Sequence, residues 1–317
     1  MLIPLTFAAA LVVGLVVTPL VRHFAHRLEL LDQPGGRKIH QVPIPRLGGV
    51  AMALAFGIAI ALAILASPGI GTAGGVRPDR VPAILSAVGL LLVVGIVDDI
   101  RGMRAIVKLT FQIAAAVLAW ALGLSIEQLE LPWGVVELGA LALPVTVLWV
   151  VGVINAVNLI DGLDGLASGV ALTVLGGFGL LAAVNGMSPT LLVVAATVGA
   201  AIGFLAYNLH PASIIMGDTG SMFLGFIVAA VAISLTQDGT DPVAPWVPIV
   251  ALGLPIADTA WAVVRRTARG EAVFAPDRGH IHHQLLRQGL SQRDAMLSLT
   301  ALSAGLAIVA VLLARLD

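Results

Sequence analysis

The chain has 317 residues, 59% of them hydrophobic and 11% charged, with a mean hydropathy of +1.03 and a net charge of −1. A soluble domain carries about 25% charged residues, so this composition excludes one and indicates an integral membrane protein. Cysteine is absent, which excludes disulfides, thiolate chemistry and cysteine-ligated metals, and the near-neutral charge carries no sign of nucleic-acid binding.

Apolar runs long enough to cross a bilayer as helices lie near 2–21, 47–66, 81–97, 105–123, 139–157, 168–185, 189–207, 220–236, 246–264 and 294–314. The expected fold is all-α: a polytopic membrane protein of about ten transmembrane helices, a single domain over 1–317, with the active site in cytoplasmic loops. Met1 to Leu20 lacks the basic start of a cleaved signal peptide and is read as the first span. The connecting segments alternate between two faces. One face holds 22–46, 98–104, 158–167, 208–219 and 265–293; the other holds 67–80, 124–138, 186–188, 237–245 and both termini. Of the 17 basic residues, all but Arg77, Arg80 and Arg315 belong to the first face, with Lys108 at a span end. The positive-inside rule puts that face in the cytoplasm and both termini outside. No internal repeat is evident, which counts against a two-fold transporter.

The polar residues collect on the same face. In the first loop, Asp32-Gln-Pro-Gly-Gly-Arg-Lys-Ile-His40 leads to Pro43-Ile-Pro-Arg46-Leu-Gly-Gly49. Arg22 and Arg27 satisfy topology, and His23 and His26 are interfacial. Arg37, Lys38 and Arg46 lie beside glycine-rich backbone, where guanidinium and ammonium groups hold phosphate. Asp98-Asp99 ends the third span. Adjacent side chains diverge on a helix, so one acid can face a metal while the other faces elsewhere, with Arg101 or Arg104 as candidate partners. Acids at a helix C-terminus oppose the macrodipole, which argues against a merely structural role. On the outer face, Glu127, Glu130, Glu137 and Trp133 form an interfacial loop with an aromatic anchor.

The densest run is Asn155-Ala-Val-Asn158-Leu-Ile-Asp161-Gly-Leu-Asp164-Gly-Leu-Ala167. As a helix it places Asn158, Asp161 and Asp164 at i, i+3 and i+6, on roughly one face. Two acids that close need a cation or a proton between them, and oxygen ligands suit Mg²⁺ shared with substrate phosphates. A plain interhelical loop has the same composition. In Asn208 to Ser221, Gly217-Asp218-Thr219-Gly220 precedes a helix. Asp218 there is either the helix cap or a metal holder beside an anion-binding N-terminus. Asp258, within the ninth span, is read as structural, paired with a buried Arg or hydroxyl. Pro276-Asp-Arg-Gly-His280-Ile-His282-His283 offers a zinc site or, with no cysteine near, a phosphate contact. Transporters place such groups near the bilayer midplane. Here they sit at span ends, which suits chemistry between a water-soluble substrate and a lipid head group.

These motifs, in this order, resemble those of the polyprenyl-phosphate N-acetylhexosamine-1-phosphate transferases. The matching stretches are Arg37 to His40 with Pro45 to Gly49, Val97-Asp-Asp99, Asn155 to Ala167, Asn208 to Ser221, Pro255-Ile-Ala-Asp-Thr259 and Pro276 to Leu286. Pro-Arg-Leu-Gly-Gly and Asp-Arg-Gly-His-Ile-His-His are similar to the branch acting on simple UDP-sugars. The phospho-N-acetylmuramoyl-pentapeptide transferases carry Thr-Pro-Thr-Met-Gly-Gly and three consecutive histidines instead.

The resemblance implies transfer of N-acetylhexosamine 1-phosphate, first of all GlcNAc 1-phosphate, from a UDP-sugar to undecaprenyl phosphate in the bacterial plasma membrane. UMP leaves, and the lipid-linked sugar feeds cell-wall, lipopolysaccharide or teichoic acid synthesis. It implies Mg²⁺, with Mn²⁺ as the alternative ion, and a homodimer is the assembly considered. By position, Asp98, Asp99 and Asp218 are expected to be catalytic, with Asp98 the base or positioning group for the lipid phosphate. Asp218 and Asp161 are expected on the metal. Lys38, Arg46, Asn158, Asp161, Asp164, Asn208, Arg278, His280, His282 and His283 are expected at the substrate. Two departures stand out. Ile215 replaces the aromatic residue that can stack on uracil, leaving backbone groups to read the base. Gly102 replaces the third acid of an Asp-Asp-x-x-Asp pattern, so no ligand is expected there. The second pKa of the attacking phosphate monoester is about 6, so it needs no strong base, and direct attack is favoured over a covalent aspartyl intermediate. An ion-coupled transporter, a prenyltransferase and a lipid phosphatase are the rivals.

Overall fold

The computed structural model describes residues 1–35, 42–67, 80–238, 242–272 and 279–315. Its helices are α1 (Leu2–Arg27), α2 (Gly48–Ala66), α3 (Arg80–Arg101), α4 (Ala105–Ala121), α5 (Ala142–Ile160), α6 (Leu166–Val184), α7 (Ser188–Asn208), α8 (Gly217–Gln237), α9 (Trp246–Ala251), α10 (Gly253–Ala268), α11 (Ile281–Arg287) and α12 (Gln292–Leu313). Two short antiparallel pairs complete it: β1 (Leu31–Asp32) with β2 (Ile44–Pro45), and β3 (Gln128–Leu131) with β4 (Gly134–Glu137). Among the described residues, 8 helices are long and apolar enough to cross a membrane, and α4 is a shorter apolar helix beside them. The protein is an all-α polytopic membrane protein, as its composition requires.

The expected ninth span differs. Residues 246–264 do not form one helix but break at Leu252 into α9 and α10. Pro255 has no N–H to offer the carbonyl of Ala251, so the hydrogen-bond ladder is interrupted there.

α8 is the axis of the bundle. Every residue from Thr219 to Thr236 is buried, and α2, α3, α5 and α6 pack around it. Its sequence is apolar on all sides, and such a helix belongs at the centre of a bundle. At one end of the bundle, Arg80 at the start of α3 pairs with Asp238 after α8, Nη2 to Oδ1 at 2.8 Å, both buried. Gln237 at the same end receives the amides of Glu127 (2.9 Å) and Gln128 (3.2 Å), which docks the β3–β4 hairpin.

At the other end, α2 begins by donating Gly48 N–H to the Ile215 carbonyl (3.0 Å) and Gly49 N–H to that of Met216 (2.9 Å). A Cβ on Gly49 would coincide with the backbone nitrogen of Gly220, so only glycine lets α2 lie on the first turn of α8. The segments assigned to the basic face meet at this second end, joined by the contacts described below. The partition of loops between two faces therefore agrees with the alternation expected from the spans.

Gly49→Val should therefore push α2 off α8. Overpacking of this kind costs about 1–3 kcal/mol, a fall in apparent melting temperature of about 5 °C or more in detergent. Gly57, on the same helix but facing open space, serves as the control, and Gly57→Val should leave the melting temperature within about 2 °C. Equal losses in the two variants would count against the close α2–α8 contact.

Candidate active site

Asp98 and Asp99 occupy the last turn of α3 and serve different neighbours. Asp99 reaches the start of α8. Its Oδ1 accepts the amide of Asp218 (2.9 Å), and its Oδ2 accepts the amide (3.1 Å) and hydroxyl (2.6 Å) of Thr219. Gly217 has φ +71°, and a Cβ there would meet the Asp99 carboxylate at 2.5 Å, so the tight entry into α8 requires glycine. Two expectations change. Asp218 is not the helix cap, because α8 is capped from outside by α3. The first amides of α8 are not free to bind a substrate anion, because a carboxylate already fills that place. Asp99, expected to be catalytic, holds the turn that carries Asp218.

Asp98 faces the other way. Its Oδ1 accepts the Met103 amide at 2.5 Å, and its Oδ2 pairs with Lys108 Nζ at 3.0 Å. The same Nζ is ion-paired with Asp218 Oδ2. Lys108 thus bridges two acids from α3 and α8, while Arg101 and Arg104, the expected partners, are exposed. Sequence reasoning counted Lys108 only toward topology. The available signal was its place in the first turn of an otherwise apolar helix, where an ionisable residue is functional by default.

The 155–167 run is not one helix. α5 ends at Ile160 and α6 starts at Leu166, so Asn158, Asp161 and Asp164 do not share a helical face. Asn158 donates to Ser221 Oγ at 2.7 Å, beside Asp218. Asp161 follows the last turn of α5, and among the described residues its carboxylate has no hydrogen bond or ion pair. Burial, and then the charges of Asp218, Asp99 and Asp164, push its carboxyl up to about 8. Asp164 turns away. Its Oδ2 pairs with His210 Nδ1 at 2.8 Å and accepts the Ala212 amide at 3.1 Å. Asn208 is buried and occupied on both sides, accepting from Gly165 N–H (3.0 Å) and donating to the Ile214 carbonyl (2.9 Å). Asp164 and Asn208, expected at the substrate, fasten the 208–216 loop to the start of α6.

Arg46 is also engaged. Its Nη2 pairs with Asp32 Oδ1, and its Nη1 donates to the Asp99 carbonyl at 3.2 Å. This places a cation at the C-terminal end of α3, where the helix dipole favours it. Ile215 cannot read a base through its backbone. Its N–H is given to Pro45 (2.9 Å) and its carbonyl to Gly48. Lys38 and Arg278, with Arg37, His40 and Asp277, lie outside the described residues.

The histidines form a stack. His280 Nδ1 lies 2.8 Å from Asp258 Oδ2, so Asp258 pairs with a histidine rather than an arginine or hydroxyl. His280 and His282 are parallel at 5.9 Å, and His283 tilts against His282 at 4.3 Å. A Cβ on Gly162 would fall on the His282 ring, so that ring sits on the turn that carries Asp161. Burial, then the neighbouring His283 and His280, hold His282 down to about 4, so it is neutral.

The donors here are hard oxygens. Among the described residues no group of three His, Cys, Asp or Glu side chains is assembled as a metal site. Two carboxylates are near each other, Asp161 without a partner and Asp218 held by one lysine. That set fits an ion which keeps waters and takes one or two carboxylates together with substrate phosphates.

The model of glycosyl transferase family 4 matches residues 81–236, which hold Asp98, Asp99, Lys108, Asn158, Asp161 and Asp218. Across 93% of this chain and 80% of the relative, the sequence is 37% identical to a probable undecaprenyl-phosphate N-acetylglucosaminyl 1-phosphate transferase of Bacillus subtilis. A decaprenyl-phosphate N-acetylglucosaminephosphotransferase of Mycolicibacterium smegmatis is 33% identical over 91% of the chain and 76% of the relative. The undecaprenyl-phosphate alpha-N-acetylglucosaminyl 1-phosphate transferase of Escherichia coli K12 is 28% identical over 92% and 78%. The chain belongs to glycosyl transferase family 4.

Neutral, buried His282 makes stability depend on pH. An unfolded histidine titrates near 6.5, and the native one near 4. Between those values the unfolded chain binds a proton that the native site refuses. Stability is therefore full above about 6.5, falls as the pH drops, and levels off below about 4. At pH 5 the loss from this residue should be about 2 kcal/mol. Thermal unfolding of wild type and His282→Gln at pH 7.5 and 5.0 measures it, and the variant should have the shallower dependence.

Proposed function

We propose that the protein transfers N-acetylglucosamine 1-phosphate from UDP-N-acetylglucosamine to undecaprenyl phosphate, releasing UMP, at the cytoplasmic face of the bacterial plasma membrane. The product is a lipid-pyrophosphate-linked sugar for envelope polysaccharide. The observation that carries this reading is Lys108 between Asp98 and Asp218, beside the unpartnered carboxylate of Asp161. Acids from three separate helix ends meet at the membrane boundary, where a lipid phosphate and a nucleotide can both reach them. The names of the relatives support the same donor group and acceptor class. Nothing in those names supports the pentapeptide transferase or a transporter. The one acid deep in an expected span, Asp258, is engaged with His280 rather than facing a midplane path.

Asp161 and Asp218 would hold Mg²⁺, which would supply the charge neutralisation that lets a diphosphate and a second phosphate share this acidic site. The chain's own groups do the rest. Asp99 fixes the first turn of α8 and with it the direction of Asp218. Lys108 offsets the charge of Asp98 and Asp218 and places a cation where an incoming phosphate can meet it. Asp98, with one oxygen on Met103 N–H and the other on Lys108, is a poor nucleophile but a good positioning group. The lipid phosphate oxygen, already largely ionised, attacks the sugar-bearing phosphorus directly. A new P–O bond forms as the bond to UMP breaks, and UMP leaves with the electron pair. Positioning and charge neutralisation carry most of the barrier reduction, as in other phosphoryl transfers.

Purified protein with UDP-GlcNAc should release UMP only when undecaprenyl phosphate is present. Chelation by EDTA should stop release, and added Mg²⁺ should restore it. Asp218→Asn and Lys108→Met should each lower kcat by about 10²–10³-fold, and Asp218→Asn should do so without loss of the folded state. Wild-type turnover in Asp218→Asn would remove the assignment.

A further inference from the structure

We infer that Asp258 is a positioning residue for His280, fixing Nδ1–H against its carboxylate so that a protonated Nε2 is the donor offered to the phosphates of the sugar nucleotide. This rests on the reaction proposed above and adds a residue to it from the second half of the broken span.

The carboxylate of Asp258 is fully used by the histidine loop. Oδ2 lies 2.8 Å from His280 Nδ1, and Oδ1 accepts the Ile281 amide at 3.0 Å. An ionised carboxylate only accepts hydrogen bonds, so Nδ1 carries a proton whether the imidazole is neutral or charged. The free choice of tautomer is gone, and Nε2 is left as the outward atom. Among the described residues Nε2 makes no hydrogen bond. Both partners are buried, at 8% and 4% exposure, and an acid held inside a helix bundle near a membrane is costly unless it has a partner to serve.

The loop is seated for this role from two sides. α10 holds it behind, with Asp258 at residues 280 and 281 and Arg265, two turns further on, packed where a Gly279 side chain would be. In front, His280 stacks parallel on His282, whose ring rests on Gly162 next to Asp161. His280 is thus one ring away from the turn that bears a proposed metal ligand. Phosphate oxygens only accept hydrogen bonds, so Nε2 takes up a proton from water as the sugar nucleotide binds; the carboxylate behind Nδ1 offsets the imidazolium charge, and Nε2–H donates to a phosphate oxygen. No proton has to leave the dyad.

The test uses the full-length enzyme, UDP-GlcNAc and undecaprenyl phosphate. Gln at position 280 keeps an N–H near the place of Nε2, and Asn keeps one near Nδ1. His280→Gln should retain at least about ten-fold more kcat/KM than His280→Asn. Asp258→Asn should lower kcat/KM by about 10–100-fold in the wild-type background. In the His280→Gln background the same change should cost less than about three-fold, since no tautomer remains to be set. A purely structural Asp258 predicts equal losses in both backgrounds, tracking the melting temperature, and that result would overturn the inference. If Asp258→Asn does not fold, the Gln-to-Asn comparison at 280 decides, and equal activities there also overturn it. Wild-type enzyme that releases no UMP would sink the reaction itself, and this inference with it. Active wild type with a fully active Asp258→Asn would sink the inference alone.

Discussion

The carboxylate of Asp99 on the first turn of α8 is the contact on which the site depends. A helix that starts inside a bundle leaves its leading amides without partners, and burying them unpaired is costly. Here the last turn of α3 answers two of those amides and the Thr219 hydroxyl with one charged side chain. Hydrogen bonds to a charged group contribute about 1.5–3 kcal/mol each. The contact also places a negative charge at the positive end of the α8 macrodipole. With that turn fixed, Asp218 points at Lys108 and Ser221 meets Asn158. Arg46 closes the arrangement from behind by holding the Asp99 carbonyl and Asp32.

Charge is the second constraint. Lys108 is shared by Asp98 and Asp218, while among the described residues Asp161 stands close to three other acids with no cation paired to it. A site so acidic repels phosphate unless positive charge enters with it. A divalent ion in the proposed reaction would bring that charge, and carboxylate donors in a chain without cysteine suit a hard one.

The histidine loop is held from one helix and rests on the turn that follows another. α10 carries Asp258 and Arg265 to the back of residues 279–281. The smallest residue at 162 then lets the second histidine ring lie on the Asp161 turn.

The amino-acid sequence by itself determined the membrane class, the positions of nearly all spans, the two-faced distribution of loops and the motif set that marks the family. These follow from composition and from patterns a few residues long, which local physics reads directly: twenty apolar residues must cross a bilayer, and basic residues gather on one side. What the tertiary structure alone decided is which acids are free and which are fastened. Asp99, Asp164 and Asn208 each fasten a neighbouring segment, and Lys108, which looked like a topology signal, joins Asp98 to Asp218. Asp258 looked structural and backs a histidine. The physical reason is that a carboxylate's role is set by what donates to it, and the donors come from far along the chain: Asp99 meets Thr219 across 120 positions and Lys108 meets Asp218 across 110. No spacing within a motif records a partner that distant, so only the packing of α3, α4 and α8 could assign it.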